Sequence, residues 1–200
     1  MRVSLSRDAR PQAMTLLVAA AISLLLWFIP YTEFIFYPFK IFITFIHEGG
    51  HALAALLTGN SVSSLSVAMN TSGETYTTKG GLFSQVLISS AGYVGSMAFG
   101  AFLLVLIRKS VKTRIVLLGT AGLIFGLTII FGLIKPLFNG VSSWTGIPFT
   151  LVSGTLITAT LVLIARFASA KVASFFVSFL PVQCVLNALY DLKTIFWLSS

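Results

Sequence analysis

The sequence predicts an all-α polytopic membrane protein with about six transmembrane helices and a short β-hairpin after the second. Two observations predict it. Apolar residues make up 56% of the 200-residue chain and charged residues only 9%, against roughly 25% charged in an ordinary soluble domain. The apolar residues also fall in long uncharged runs, Pro11–Thr32, Gly80–Ile107, Ile115–Ile134 and Leu137–Ala165. Each run is long enough to cross a hydrocarbon core of about 30 Å as a helix. A soluble enzyme, a secreted disulfide scaffold and a disordered chain are excluded, and the single Cys184 permits no internal disulfide. The net charge of +8 is carried by short basic clusters between the apolar runs. Membrane edges carry such clusters, so no nucleic-acid partner is expected.

The elements follow in order. Arg2, Arg7 and Arg10 precede an apolar run from Ala13 to about Tyr31. That run is too long for a cleaved signal peptide and reads as a retained first helix. Tyr31, Glu33, Tyr37, Pro38 and Lys40 mark an interface, and the second span is Ile41–Gly59. The Ser- and Thr-rich stretch from Asn60 to Lys79 alternates around Leu65, Val67 and Met69, turns at Asn70–Gly73 and resumes through Thr75, Tyr76 and Thr77. This is a hairpin pattern. A strand edge there suits an extended peptide, and proline at Val67 is expected to disturb pairing.

The third span, Gly81–Ile107, is closed by the basic segment Arg108–Arg114, and the fourth is Ile115–Ile134. A loop is expected over Lys135–Gly146. The fifth span runs from about Pro148 to Ala165. The sixth runs from about Val172 to Leu198, kinked or started near Pro181 because proline lacks a helix amide. Residues 1–200 read as a single membrane-embedded domain. Lys and Arg divide six against seven between the two sides, which decides no orientation.

The second span contains His47-Glu48-Gly49-Gly50-His51, the only two histidines of the chain bracketing one of its five acidic residues. Residues at i and i+4 share a helix face, so two imidazoles can grip one metal ion. Glu48 can then reach a metal-bound water as general base, and Zn2+ suits this donor set. An ionisable group in mid-span costs at least ~2.5 kcal/mol, which argues against chance.

Two histidines leave a third ligand to be supplied by a carboxylate or by Cys184. Glu33 lies at an interface and Glu74 in the hairpin. Asp191 lies in the sixth span at a depth matching the histidines; its alternative role is a boundary carboxylate paired with Lys193. Cys184 is about 10.5 Å from Asp191 along the helix, too far to share one zinc, and reads as a small buried residue. Asn187, one turn before Asp191, is placed to bond the aspartate or a substrate carbonyl. Gly49, Gly50 and a third span rich in Gly, Ala and Ser would let helices approach closely enough to build a site from separate spans.

These residues resemble the site-2 protease family of intramembrane zinc metalloproteases. The resemblance rests on Phe45–Val62, where the metal motif runs into a small-residue helix end, and on the hairpin that follows. It extends to Ala91-Gly92-Tyr93-Val94-Gly95-Ser96 and to Asn187-Ala188-Leu189-Tyr190-Asp191. It implies His47, His51 and Asp191 as zinc ligands, Glu48 as catalytic base and Asn187 as a substrate-binding or supporting residue. Leu192 stands where the family usually has glycine, no proline follows Asn187, and Tyr93 replaces a proline. These departures fit a compact, divergent branch. The expected function is zinc-dependent hydrolysis of peptide bonds in or near membrane-spanning segments, in the setting of regulated intramembrane proteolysis. The expected partners are a membrane-protein or peptide substrate and the lipid bilayer, in the cell membrane. The rival reading is a catalytically inactive scaffold or chaperone of the same fold. A metal transporter would need more ionisable groups along its route.

Overall fold

The computed structural model describes the backbone of residues 9–27, 33–139 and 146–198, and side chains over 14–23, 34–139 and 146–188. Its helices are α1 (Ala9–Trp27), α2 (Glu33–Leu57), α3 (Leu82–Arg108), α4 (Thr113–Gly126), α5 (Lys135–Asn139), α6 (Ile147–Phe167) and α7 (Ala170–Leu198). The strands β1 (Val62–Val67) and β2 (Gly73–Thr77) lie between α2 and α3. Among the described residues, four stretches are long and apolar enough to cross a membrane: Leu82–Arg108, Thr113–Asn139, Ile147–Phe167 and Ala170–Ala188. Helices α1 and α2 form where helices are expected, but of the six expected spans these four are the ones supported among the described residues. The 25-residue α2 is long enough, but Lys40, His47, Glu48 and His51 dilute its hydropathy.

Three boundaries differ from expectation. The expected interface at residues 33–40 is the first part of α2, which runs through Pro38. A proline so near a helix start removes one amide close to those that have no intrahelical partner anyway. The helix also continues past Ile134. Residues Leu127–Ile134 adopt π-helical geometry and lead directly into α5, so residues 135–139 are helical rather than loop. The rest of that expected loop, apart from Gly146, lies outside the described residues. Finally, α7 neither starts nor stops at Pro181 but contains it.

The second helix is closed two residues past its end by Gly59, whose φ of 76° is a left-handed conformation that glycine adopts without strain. The amide of Asn60 then bonds the carbonyl of Ala55 at 2.8 Å, and that of Gly59 bonds Leu56 at 3.2 Å. This pairing satisfies carbonyls that the helix end would leave open. It also turns the chain back so that the hairpin lies along α2.

The hairpin is antiparallel, with Leu65 opposite Thr75 and Val67 opposite Gly73, and an irregularity between Val62 and Ser64. Buried Leu65 and Val67 point into the core. On the other face, Ser64, Ser66, Glu74 and Tyr76 line a groove of about 330 Å³ with Phe149 of α6. The Thr150 hydroxyl of α6 accepts a bond from the Val67 amide at 2.8 Å and donates to the Gly146 carbonyl at 2.8 Å. The Val67 amide therefore points away from β2. Proline at Val67 would break the link to α6 rather than the ladder, which corrects the expectation for that substitution.

Helix α2 sits at the centre, its Phe42 and Phe45 buried beside Leu65, Leu103, Leu117 and Ile124. Small residues bring the other elements onto it. A Cβ at Gly95 of α3 would lie 3.0 Å from the Cα of Gly50 on α2, so these two backbones touch. A Cβ at Gly49 would lie 2.8 Å from the Leu127 side chain of the π-helical segment. Helix α7 packs on α3 where Gly100 meets Cys184, and on α2 where Phe179 lies 4.7 Å edge-on to Phe39. The amide of Gln183 donates to Ser23 of α1 at 2.8 Å, so α1 is held to α7 by a buried polar contact.

Candidate metal centre

One helical turn separates His47 from His51, and this places their rings on the same side of α2. The ring centroids are 4.8 Å apart and inclined at 74°. Each ring is set by a contact from α3. The Nδ1 of His51 lies 2.5 Å from the Ile88 carbonyl. A carbonyl only accepts, so Nδ1 carries the proton and the lone pair is left on Nε2. The ring of His47 meets Tyr93 edge-on, centroids 4.8 Å apart. Tyr93, where the family usually has proline, thus buttresses His47. A methyl group at Gly92 would overlap the His47 ring at Nε2. The ring can sit this close to α3 because residue 92 has no side chain.

Between the histidines, Glu48 turns to the hairpin and is only 5% exposed. The Thr75 hydroxyl donates to Glu48 Oε2 at 2.7 Å and lies 3.2 Å from the Glu48 carbonyl oxygen. Gly73 covers the rest of the carboxylate: a Cβ there would lie 2.6 Å from Oε1. Two further bonds hold the hairpin to the same face of α2. Tyr37 donates to the Met69 carbonyl at 2.7 Å, and Thr44 to the Thr71 carbonyl at 2.8 Å. Thr75 and Gly73 had no signal in the sequence beyond lying in the strand and the turn of a hairpin after the metal helix. Gly92 stood out as one of many small residues and as part of the Ala91–Ser96 segment, with nothing to link it to His47.

The ligand atoms of His47, Glu48 and His51 all lie within 4.8 Å of one another, so this group could hold a metal ion. The residues present fit zinc: two imidazoles on one helix face, one with its free nitrogen set by a backbone carbonyl, and the other ring seated against Gly92 with no side chain between. Asp191 lies in the last turns of α7, and its side chain falls outside those described. Asn187 is half-buried in α7. Cys184 is fully buried against Gly100 of α3 and is not part of the His47–Glu48–His51 group. Glu74 stands on the groove face of the hairpin and accepts a bond from Tyr76 at 2.9 Å.

Comparison with known proteins adds the family. No curated protein and no solved structure matches the chain. The model of the Peptidase M50B-like family matches residues 15–199, from within α1 to past the end of α7. The match spans the paired histidines, the hairpin and the Asn187–Asp191 segment together, and the chain belongs to the Peptidase M50B-like family, as its likeness to the site-2 proteases implied.

Proposed function

We propose that the protein is an intramembrane zinc endopeptidase that hydrolyses peptide bonds in or near the membrane-spanning segments of its substrates, in the cell membrane. The observation that carries this reading is the arrangement of α2: two imidazoles directed to one place, with a buried carboxylate between them turned toward a β-hairpin. A scaffold needs no buried ionisable group there, and keeping one in mid-membrane is costly.

Helix arithmetic supports Asp191 as the third ligand. Gly92, against His47, precedes Gly100 by eight residues, or ~12 Å of helix. Cys184 lies against Gly100, and Asp191 follows Cys184 by seven residues, or ~10 Å. Helix α7 touches α2 where Phe179 meets Phe39, and α3 where Cys184 meets Gly100. On the proposed reading α7 continues toward the histidine end of α2, and its last turns reach the height of His47. Asn187, one turn below, is assigned to hold the aspartate or a substrate carbonyl.

Zinc held by His47, His51 and Asp191 would supply positive charge that polarises the scissile carbonyl and acidifies a water. Glu48 accepts the proton of that water and returns it to the leaving amine. The hairpin offers an extended substrate a strand edge beside Glu48, and unfolding a substrate helix into that strand exposes its peptide bond. The test is metal content and peptide cleavage by the purified chain, each compared with His51→Ala and Glu48→Gln. His51→Ala should lose both. Glu48→Gln should keep its zinc and lose cleavage, the base's contribution being typically ~10²–10⁴-fold. Wild-type protein that is full of zinc yet cleaves nothing would favour the scaffold.

A further inference from the structure

Three groups in the centre could grip a metal, yet hydrolysis requires one of them to stay off it. We propose that Thr75 is a positioning residue whose hydroxyl keeps Glu48 a base by holding its carboxylate away from the metal; this rests on the zinc-site reading above. Glu48 adjoins His47, and its ligand oxygen lies within 4.8 Å of both imidazole donors. A glutamate has a long, flexible side chain, and a carboxylate that close to a divalent cation is drawn onto it unless something opposes the move. The hairpin opposes it. Thr75 engages Oε2 at 2.7 Å, and Gly73 closes over Oε1 so tightly that no Cβ fits.

The restraint is rigid because the hairpin is fixed in register along α2. Tyr37, Thr44 and Glu48 are spaced i, i+7 and i+11, on one stripe of the helix. Their partners, the Met69 carbonyl, the Thr71 carbonyl and the Thr75 hydroxyl, follow one another along the hairpin. Two of these bonds do not involve Glu48, so the hairpin stays docked when the Thr75 hydroxyl alone is removed. Valine in its place keeps the branched shape that a strand favours and removes only the donor. Glu48 is then free to close on the metal, adding a ligand and filling the position that water and substrate need.

The consequence is a sign that simple damage does not produce: the variant binds metal more tightly. The experiment uses the full chain in detergent, titrated with Zn2+ against a chromophoric chelator, and with Co2+ for its visible absorption. Thr75→Val should bind Zn2+ about tenfold more tightly than wild type, the scale of a lost bond to a charged group. Its Co2+ spectrum should change as a ligand is added. Thr75→Ser, which keeps the hydroxyl, should match wild type. Thr75→Val with Glu48→Gln should lose the gain, because an amide is a poor ligand. Unchanged or weaker zinc binding in Thr75→Val, or a gain that survives Glu48→Gln, overturns the proposal. Wild-type protein that binds no zinc removes the metalloprotease reading, and this proposal with it.

Discussion

Replacing Gly92 by alanine should separate metal binding from folding, and replacing Gly50 should do the reverse. Both glycines lie where α2 meets α3, and both lack room for a methyl group. They differ in what the methyl would strike. At Gly92 it meets the imidazole of His47, a side chain that can swing away about two bonds. The ring then leaves the position that Tyr93 and the neighbouring His51 define, and the centre loses one of its donors. Disturbing a group that merely orients a ligand costs 10–100-fold in metal affinity, so displacing a ligand should cost at least ~100-fold. Stability should change little, by less than about 1 kcal/mol, because the ring can relax. At Gly50 the methyl meets the Ala91 carbonyl oxygen inside contact distance, with the carbonyl carbon at 3.2 Å and the Gly92 Cα at 3.4 Å. All of these are backbone atoms, and only a shift of one helix against the other relieves them. That overpacking should cost ~1–3 kcal/mol and lower the melting temperature. Gly119, with nothing within 4 Å of its added Cβ, is the control and should stay within about 0.5 kcal/mol. Zinc by mass spectrometry after chelator dialysis and thermal melts by circular dichroism read the two effects. Wild-type zinc affinity in Gly92→Ala would refute the placement of His47 in the metal centre.

Asp191→Ala should lose most bound zinc while remaining folded, and Glu74→Ala should keep it, both read as metal per protein. Thr150→Val and Val67→Pro should be alike in stability and cleavage, since both break the Val67–Thr150 bond at 2.8 Å; loss of the hairpin fold in Val67→Pro alone would show that the ladder depends on that amide. Ser23→Ala leaves the buried Gln183 amide without this acceptor and should destabilise the α1–α7 contact by about 1 kcal/mol, measured by unfolding in mixed micelles.

The helices were legible from the length of the apolar runs, and the hairpin from the alternation of Leu65 and Val67 around a turn at Asn70–Gly73. The metal motif was legible because residues 47 and 51 share a face on any helix, whatever surrounds it. What remained hidden depends on contacts between elements. The π-helical segment has no periodicity of its own; it is set where Leu127 covers Gly49, Thr128 meets Gly154 and Gly132 meets Thr150. The start of α2 was obscured because charges and Pro38 at a helix beginning look like a loop in one dimension. Thr75 was indistinguishable from Thr77 and Thr78 until the strand was laid against Glu48. Local patterns show which residues can do chemistry, and the neighbours that tune them come from 27 residues away at Thr75 and 37 at Ile88.

The Val67–Thr150 bond joins positions 83 residues apart, and this bears on when the protein becomes competent during its synthesis. The hairpin emerges soon after α2, but the hydroxyl that fastens its inner strand arrives only with α6, after two intervening long helices. Non-local contacts form late, since the chain between them must first be ordered. A nascent chain halted before α6 carries both histidines and Glu48 yet has a hairpin that lacks this bond. The ligand proposed on α7 comes later still. The order of the chain thus delays assembly of the proposed metal centre until most of the helices have been made.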